Sequence, residues 1–127
     1  MKFNHYAILS NSEEESDKFY MELLGMDKAY SFIISKELMN KIFSINEELK
    51  VIRYKSKEID IEVFISNKEI KQEKSINHLG IVIENRDVFY QKAKSLGVDV
   101  IKIDKPQGNG YYLFIKDFFG NIFEIQE

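Results

Sequence analysis

The chain has 127 residues and a formal net charge of −3, and it contains no cysteine and only two histidines. Without cysteine it has no disulfide framework, no thiolate zinc site and no cysteine nucleophile. Its charge offers no clustered basic face for nucleic acid, and no apolar run approaches the roughly 20 residues that span a membrane. With 44% hydrophobic residues the chain can build one domain, 1–127. Since no signal peptide precedes the first strand pattern, we expect a cytoplasmic protein.

The most informative feature of the sequence is an internal repeat. The segment Phe3-Asn4-His5-Tyr6-Ala7-Ile8 recurs 73 residues later as Ile76-Asn77-His78-Leu79-Gly80-Ile81. Near the end of each copy, Ile61-Glu62-Val63-Phe64 matches Phe123-Glu124-Ile125-Gln126. The repeat predicts two tandem modules within the domain, 1–69 and 75–127.

Hydrophobic periodicity predicts the same element order, β-α-β-β-β, in both modules, and therefore an α+β fold. In module one it indicates a strand at 2–10, a helix at about 13–25 after the cap residue Ser12, and strands near 28–34, 49–55 and 60–66. In module two it indicates a strand at 76–84, a helix at 86–96, and strands at 98–104, 111–116 and 121–126.

Module one has about ten residues more than module two between positions 27 and 62. Within this surplus, the segment 35–43 begins with a serine cap and places Leu38, Met39, Ile42 and Phe43 on one apolar stripe. The pattern predicts a short extra helix. Two roles are open for it: it covers an open end of the sheet, or it forms a lid or a wall of a substrate channel.

The two histidines, His5 and His78, hold equivalent places in the first strand of their modules, and Glu62 and Glu124 do so in the last strands. A single histidine or glutamate in an apolar strand is more often a core or surface residue than a ligand. The repetition of both residues instead favours a metal site of two imidazoles and two carboxylates. Such a set suits a divalent ion such as Ni²⁺, Co²⁺, Zn²⁺, Mn²⁺ or Fe²⁺.

Three features together resemble a known family: the βαβββ repeat, the first-helix residues Asp17-Lys18-Phe19-Tyr20 with Leu24-Gly25-Met26, and Asp117-Phe118-Phe119-Gly120-Asn121-Ile122-Phe123-Glu124. The chain resembles the vicinal oxygen chelate superfamily, which includes glyoxalase I, extradiol dioxygenases, fosfomycin-resistance enzymes and bleomycin-binding proteins. The resemblance implies an open, curved mixed sheet around a cavity, a small-molecule substrate and a homodimer. Neither a nucleic acid nor a membrane is an expected partner.

The resemblance also implies roles for the four candidate residues. Metal ligands at His5, Glu62, His78 and Glu124 form the pattern of bacterial glyoxalase I, in which the two glutamates would be catalytic and move the substrate proton. The chain is therefore similar to a metal-dependent lyase or isomerase of the lactoylglutathione lyase type.

Two observations bear on the reaction type. Glyoxalase I usually carries an arginine where Leu9 stands here, and neither Arg53 nor Arg86 takes that place, so glutathione is not favoured as the thiol. Dioxygenases and fosfomycin-resistance enzymes need only the ligands at His5, His78 and Glu124, which makes Glu62 the discriminating residue. A dioxygenase, an antibiotic-resistance protein of the fosfomycin or bleomycin type, and a non-catalytic small-molecule binding protein remain alternatives.

Overall fold

Each copy of the repeat folds into its own four-stranded mixed sheet in this computed structural model, which describes residues 1–68 and 74–127. The chain divides into two compact units, Met1–Lys71 and Gln72–Glu127. Module one contains, in chain order, β1 (Tyr6–Ser10), α1 (Glu13–Ser16), a π-helical segment (Asp17–Leu23), β2 (Asp27–Ile34), α2 (Lys36–Phe43), β3 (Leu49–Lys55) and β4 (Asp60–Ile65). Module two contains β5 (His78–Val82), α3 (Arg86–Ser95), β6 (Asp99–Asp104), β7 (Tyr111–Lys116) and β8 (Ile122–Gln126).

The two sheets have the same topology. The strand orders are β1-β4-β3-β2 and β5-β8-β7-β6. In each sheet the first strand pairs in parallel with the last strand of its module, and the other pairs are antiparallel. The predicted α+β class and the tandem βαβββ order are confirmed, with hydrogen bonds forming one sheet in each module.

The first strand of each module is shorter than the pattern predicts. The ladder between β1 and β4 runs only from Tyr6–Ile61 to Ser10–Ile65. The residues before Tyr6 lie outside this ladder, although Asp60 of β4 stands one place before Ile61, and the prediction of a strand from residue 2 is wrong. His5 therefore lies just before β1, whereas His78 is the first residue of β5.

The first helix is α-helical only in its opening turn. Ser12 caps this turn by accepting a hydrogen bond from the Glu15 N–H at 3.1 Å. The continuation is π-helical and closes with an N–H to C=O bond from Leu24 to Phe19 at 3.1 Å. The predicted helix at about 13–25 is thus a composite of two helix types, in which the adjacent Phe19 and Tyr20 are both fully buried.

The sheet of module one separates an apolar face from the face that carries the candidate ligands. Tyr20 of the π-helical segment packs on the first face, with its ring centroid 5.1 Å from that of Tyr54. Ile52 and Val63 are register partners on this face and are fully buried. Since side chains alternate along a strand, Arg53 and Glu62 lie on the opposite face.

The extra segment of module one contains the helix α2. Ser35 caps it by accepting a hydrogen bond from the Leu38 N–H at 3.2 Å. The helix ends at the cap residue Ser44, the one non-glycine residue with positive φ among residues 1–68 and 74–127. Met39 packs against Leu49 and Phe64, so α2 covers part of the sheet face that bears Glu62.

Tyr54 gives the fold a measurable pH dependence. Burial, and then its 2.7 Å hydrogen bond to Asp17 Oδ1, raises the pKa of Tyr54 well above the value of 10.0 expected in the unfolded chain. The raised pKa means that the folded state favours the neutral phenol of Tyr54. This preference adds stability that is fully present at pH values below 10 and is lost as the pH rises through the folded-state pKa. Tyr54→Phe is therefore expected to cost about 1 kcal/mol at neutral pH and to leave the 295 nm phenolate absorbance at pH 11 unchanged.

Tyr112→Phe is the control for the change in stability, because the Tyr112 side chain is exposed and its hydroxyl should contribute less than about 0.5 kcal/mol. A drop in the pH 11 signal of folded Tyr54→Phe would contradict the assignment.

Within the part of the chain that the structure describes, no helix has the length and apolar character required to cross a membrane.

Candidate functional site

The strand register places one histidine beside one glutamate in each module. Ala7 pairs with Glu62 in the parallel ladder of module one, and Gly80 pairs with Glu124 in that of module two. His5 and His78 each stand two residues before these partners. Two residues is the side-chain period of an extended strand, so each histidine falls on the same face as its glutamate.

The two histidine–glutamate pairs have similar geometry. His5 Nε2 lies 3.3 Å from Glu62 Oε2, and His78 Nε2 lies 3.6 Å from Glu124 Oε2. Both histidine side chains remain about one-third or more exposed, at 35% and 40%, so a ligand can reach them from solvent.

The other ring nitrogen of each histidine is already occupied. His5 Nδ1 lies 2.6 Å from Asn4 Oδ1, and His78 Nδ1 lies 2.7 Å from the carbonyl oxygen of Ile76. Because both partners are acceptors, each Nδ1 carries the proton and donates it. In a neutral imidazole this leaves the lone pair on Nε2, directed toward a carboxylate oxygen.

Two electron-rich atoms that face each other at such distances repel unless a cation lies between them. A proton on Nε2 or a metal ion would remove this repulsion. Ligands about 2.1 Å from one ion are about 3.0–3.4 Å apart when they occupy neighbouring coordination positions, close to the two observed separations. The residues therefore fit a divalent ion, and the Nδ1 bonds supply the outer-shell orientation that metal-ligating histidines commonly have.

The structure brings the four predicted ligands together as two pairs, each within one module. Among residues 1–68 and 74–127, neither pair has a third His, Asp or Glu placed to complete a metal-binding group of three. Each module thus presents one imidazole and one carboxylate.

Arg53 is the residue at this site whose role the sequence did not indicate. Its side chain is buried and donates to Glu62 Oε1 from Nη1 at 2.7 Å and to Asp60 Oδ2 from Nη2 at 2.9 Å. Nη2 also lies 3.3 Å from Asn4 Oδ1, the atom that accepts from His5. A single guanidinium therefore contacts Glu62 directly and His5 through Asn4.

The electrostatics of this cluster follow from its ion pairs. Burial by itself would lower the pKa of Arg53, but the hydrogen bonds that Arg53 donates to Asp60 and Glu62 outweigh burial and raise it. The same hydrogen bond from Arg53 holds the pKa of Asp60 below its ordinary value. Arg53 is consequently a permanent cation, and it leaves Oε2 as the Glu62 oxygen that faces His5.

The surroundings of the second pair are different. Glu124 Oε1 accepts a hydrogen bond from Gln126 Nε2 at 3.0 Å, and the His78 ring stands edge-on to Phe114 with centroids 5.7 Å apart. Arg86 does not contact this pair; its Nη1 donates to the carbonyl oxygens of Tyr111 and Ile125 at 3.1 and 3.4 Å. The two arginines therefore have different roles: Arg53 binds carboxylates, and Arg86 links β7 and β8 through their carbonyl oxygens.

The motif from Asp117 to Glu124 forms the turn before β8 and the start of that strand. The buried carboxylate of Asp117 accepts hydrogen bonds through Oδ1 from the N–H groups of Phe119, Gly120 and Asn121, at 3.0, 2.8 and 2.8 Å. Gly120 adopts a φ of 110°, a left-handed conformation that side-chain-bearing residues rarely adopt. This turn starts β8 two residues before Glu124 and so sets the register of Glu124.

The fold of two tandem βαβββ modules, each with a matched histidine and glutamate, defines the class of protein. The sequence matches the model of the Glyoxalase/Bleomycin resistance protein/Dioxygenase superfamily over residues 2–125. The match spans nearly the whole chain, so the chain belongs to this superfamily, as the resemblance in its sequence predicts. A comparison with curated protein sequences returned no match.

Solved structures of low sequence identity share the fold. A glyoxalase family protein from Enterococcus faecalis is 17% identical, with a TM-score of 0.73 over 99% of this chain and 97% of that chain. The fosfomycin resistance protein FosX from Listeria monocytogenes is 21% identical, with a TM-score of 0.74 over 98% of this chain and 91% of that chain. A mutant of that FosX, 20% identical with a TM-score of 0.73 over 98% and 90% of the two chains, was crystallised with Mn(II) and 1S,2S-dihydroxypropylphosphonic acid.

Proposed function

We propose that the chain is a metal-dependent lyase or isomerase of the glyoxalase I type, which acts on a small substrate with two neighbouring oxygen atoms. The metal ligands in this proposal are His5, Glu62, His78 and Glu124. The observation that carries it is the repeated pair in which an Nε2 lone pair faces a carboxylate Oε2 while Nδ1 is held by an acceptor. A single pair is weak evidence, whereas two pairs at matched register positions indicate a common function.

The relatives support a divalent ion in this role. FosX from Listeria monocytogenes has been crystallised with Mn(II) and sulfate, and its mutant with Mn(II) and a dihydroxyphosphonate. When bound, a divalent ion supplies Lewis-acid stabilisation of negative charge on substrate oxygens. Its identity in this chain is open among the ions that accept imidazole and carboxylate ligands.

The remaining chemistry belongs to the two glutamates. Oε1 of Glu62 is held by Arg53 and Oε1 of Glu124 by Gln126, so Oε2 is in each case the oxygen that faces the histidine. Oε2 of Glu62 and of Glu124 would hold the metal ion, and when one of these oxygens is not bound to the ion it would take the substrate proton from one carbon and return it to the neighbouring carbon. Arg53 and Gln126 orient these carboxylates and are positioning residues.

Metal analysis of purified protein tests this proposal. The wild-type chain is loaded anaerobically with Ni²⁺, Mn²⁺, Fe²⁺ or Zn²⁺, and bound metal is measured by native mass spectrometry and plasma emission. Glu62→Ala is expected to weaken metal affinity at least about tenfold, since one of four ligands is lost. Glu62→Gln keeps an oxygen acceptor for Arg53 and separates the loss of a ligand from the loss of the ion pair.

Glu48→Ala is the matched control, because Glu48 is an exposed glutamate of the same module. Absence of bound metal in the wild type after all four loadings would overturn the proposal. Metal affinity that survives in both Glu62 variants would instead assign a three-ligand class, such as the dioxygenases or the fosfomycin-resistance enzymes. The same spectra report the mass of the assembly, for which we expect a homodimer.

A further inference from the structure

Module one contains an apolar cavity on the face of the sheet that carries Glu62. Its volume is about 190 Å³. The walls come from β1, β3, β4, α2 and the segment after α2, and the lining residues are Ala7, Ile8, Leu9, Met39, Phe43, Ile45, Leu49 and Phe64. All of these side chains are apolar, so the cavity offers no side-chain hydrogen bond that would hold water.

The cavity lies directly beside the His5–Glu62 pair. Ala7, which lines it, is the register partner of Glu62, and Leu9 is the partner of Phe64. Glu62 and Phe64 are two residues apart on one face of β4, a separation of about 6.6 Å along the strand. A molecule held at Glu62 Oε2 is thus within one side-chain length of the cavity.

The packing around the cavity shows that it is an opening in the core of module one. Met39 and Leu49 form its buried floor, at 1% and 2% exposure. At its rim Phe43 is 49% exposed, and its ring meets that of Phe64 edge to face with centroids 5.7 Å apart. Protein cores contain few voids larger than a water molecule, so an apolar space of this size open at one side is suited to an apolar guest.

Module two has a cavity of different character beside its own glutamate. The cavity that adjoins Glu124, about 200 Å³ in volume, is lined largely by polar and charged groups, among them Arg86, Lys105, Tyr112, Gln126 and Glu127. The extra helix of module one contributes Met39 and Phe43 to the apolar lining. In module one, α2 thus covers part of the sheet and also supplies one wall of the cavity.

We propose that this cavity is a substrate subsite, and that the substrate carries a compact hydrocarbon group of about the size of a phenyl ring next to its two neighbouring oxygens. An engineered apolar cavity of about 150 Å³ binds benzene, so a cavity of about 190 Å³ accepts a ring of that size. The assignment of the oxygens rests on the proposed function, whereas the assignment of the apolar group rests on the cavity alone.

Benzene binding to the metal-free protein tests the cavity. Methyl NMR spectra are recorded during a benzene titration, and saturable shifts are expected at Met39 and Ala7 but not at Val82, an exposed residue of module two. Leu9→Phe fills the space and is expected to weaken benzene binding at least about tenfold. Leu9→Ala enlarges the space and should retain binding, and Val82→Phe is the matched control that adds a ring elsewhere.

Shifts that do not saturate, or an unchanged affinity in folded Leu9→Phe, would overturn the subsite. The link to the substrate is tested on metal-loaded protein with lactate and mandelate, two α-hydroxy acids that differ in a methyl against a phenyl group. Mandelate is expected to bind at least about tenfold more tightly, and Leu9→Phe should abolish this preference. Equal binding of the two acids overturns the substrate class, whereas failure of the proposed function shows up separately, as absence of bound metal.

Discussion

Replacing Arg53 by methionine is expected to lower the free energy of unfolding by about 3 kcal/mol, measured by urea denaturation at pH 7. The Arg53 side chain is 7% exposed and neutralises two carboxylates, Asp60 and Glu62, which are themselves only 21% and 14% exposed. Methionine has a similar length and no charge, so both carboxylates would remain partly buried without their cation. Removal of one partner from a buried ion pair is far more costly than the net worth of the pair, because the charges left behind cannot regain full hydration.

Lys50→Met is the matched control for this experiment. Lys50 lies on the same strand, and its ion pair with Glu13 at 2.8 Å is exposed, with side-chain exposures of 40% and 37%. Exposed pairs contribute about 0–1 kcal/mol, so Lys50→Met should change stability by less than about 1 kcal/mol. Equal losses in the two variants would contradict the assignment of Arg53 as the buried centre of charge in module one.

Removal of either histidine imidazole is expected to reduce metal affinity at least about 100-fold, the upper end of the effect known for outer-shell groups. His5→Ala and His78→Ala each delete the Nε2 ligand while leaving the paired glutamate in place. Competition with a metal-binding dye measures the affinities. Because each histidine is partly exposed, alanine at these positions should leave the folding midpoint nearly unchanged.

The asparagine before each histidine provides a matched pair of controls. Asn4 and Asn77 are equivalent in the repeat, but only the Asn4 side chain accepts from its histidine; His78 uses the main chain at Ile76 instead. Asn4→Ala should weaken metal binding about tenfold, and Asn77→Ala should weaken it by less than about threefold. Equal effects of the two asparagine variants would show that the Nδ1 contacts do not orient the ligands.

The element order of both modules was predictable because it depends on local patterns. Hydrophobic alternation, the cap residues Ser12 and Ser35, and the turn at 117–120 each act over a few residues, and all are present in the structure. The exact start of the first strand was not predictable. A residue belongs to a strand only if its backbone takes part in the ladder of hydrogen bonds, and the ladder with β4 begins at the Tyr6–Ile61 pair, one residue after His5.

The sequence singles out the four candidate residues, but it does not reveal which side chains contact them. The repeat itself singles out His5, Glu62, His78 and Glu124, since matched positions in a duplicated module stand out in one dimension. The repeat does not single out Arg53 in this way. Its link to Glu62 exists because β3 and β4 are antiparallel neighbours with these two residues in register, and register is a property of the folded sheet.

The amino-acid sequence is sufficient to predict two βαβββ modules, one histidine and one glutamate at matched places in each, and an additional helix in module one. Those features follow from periodicity and repetition along the chain. Three features appear only in the folded chain: the ion pair of Arg53 with Glu62, the hydrogen-bond partner of each histidine Nδ1, and the apolar cavity beside the first pair. These depend on which side chains meet across neighbouring strands, and packing sets those contacts through strand register and the pleat of the sheet.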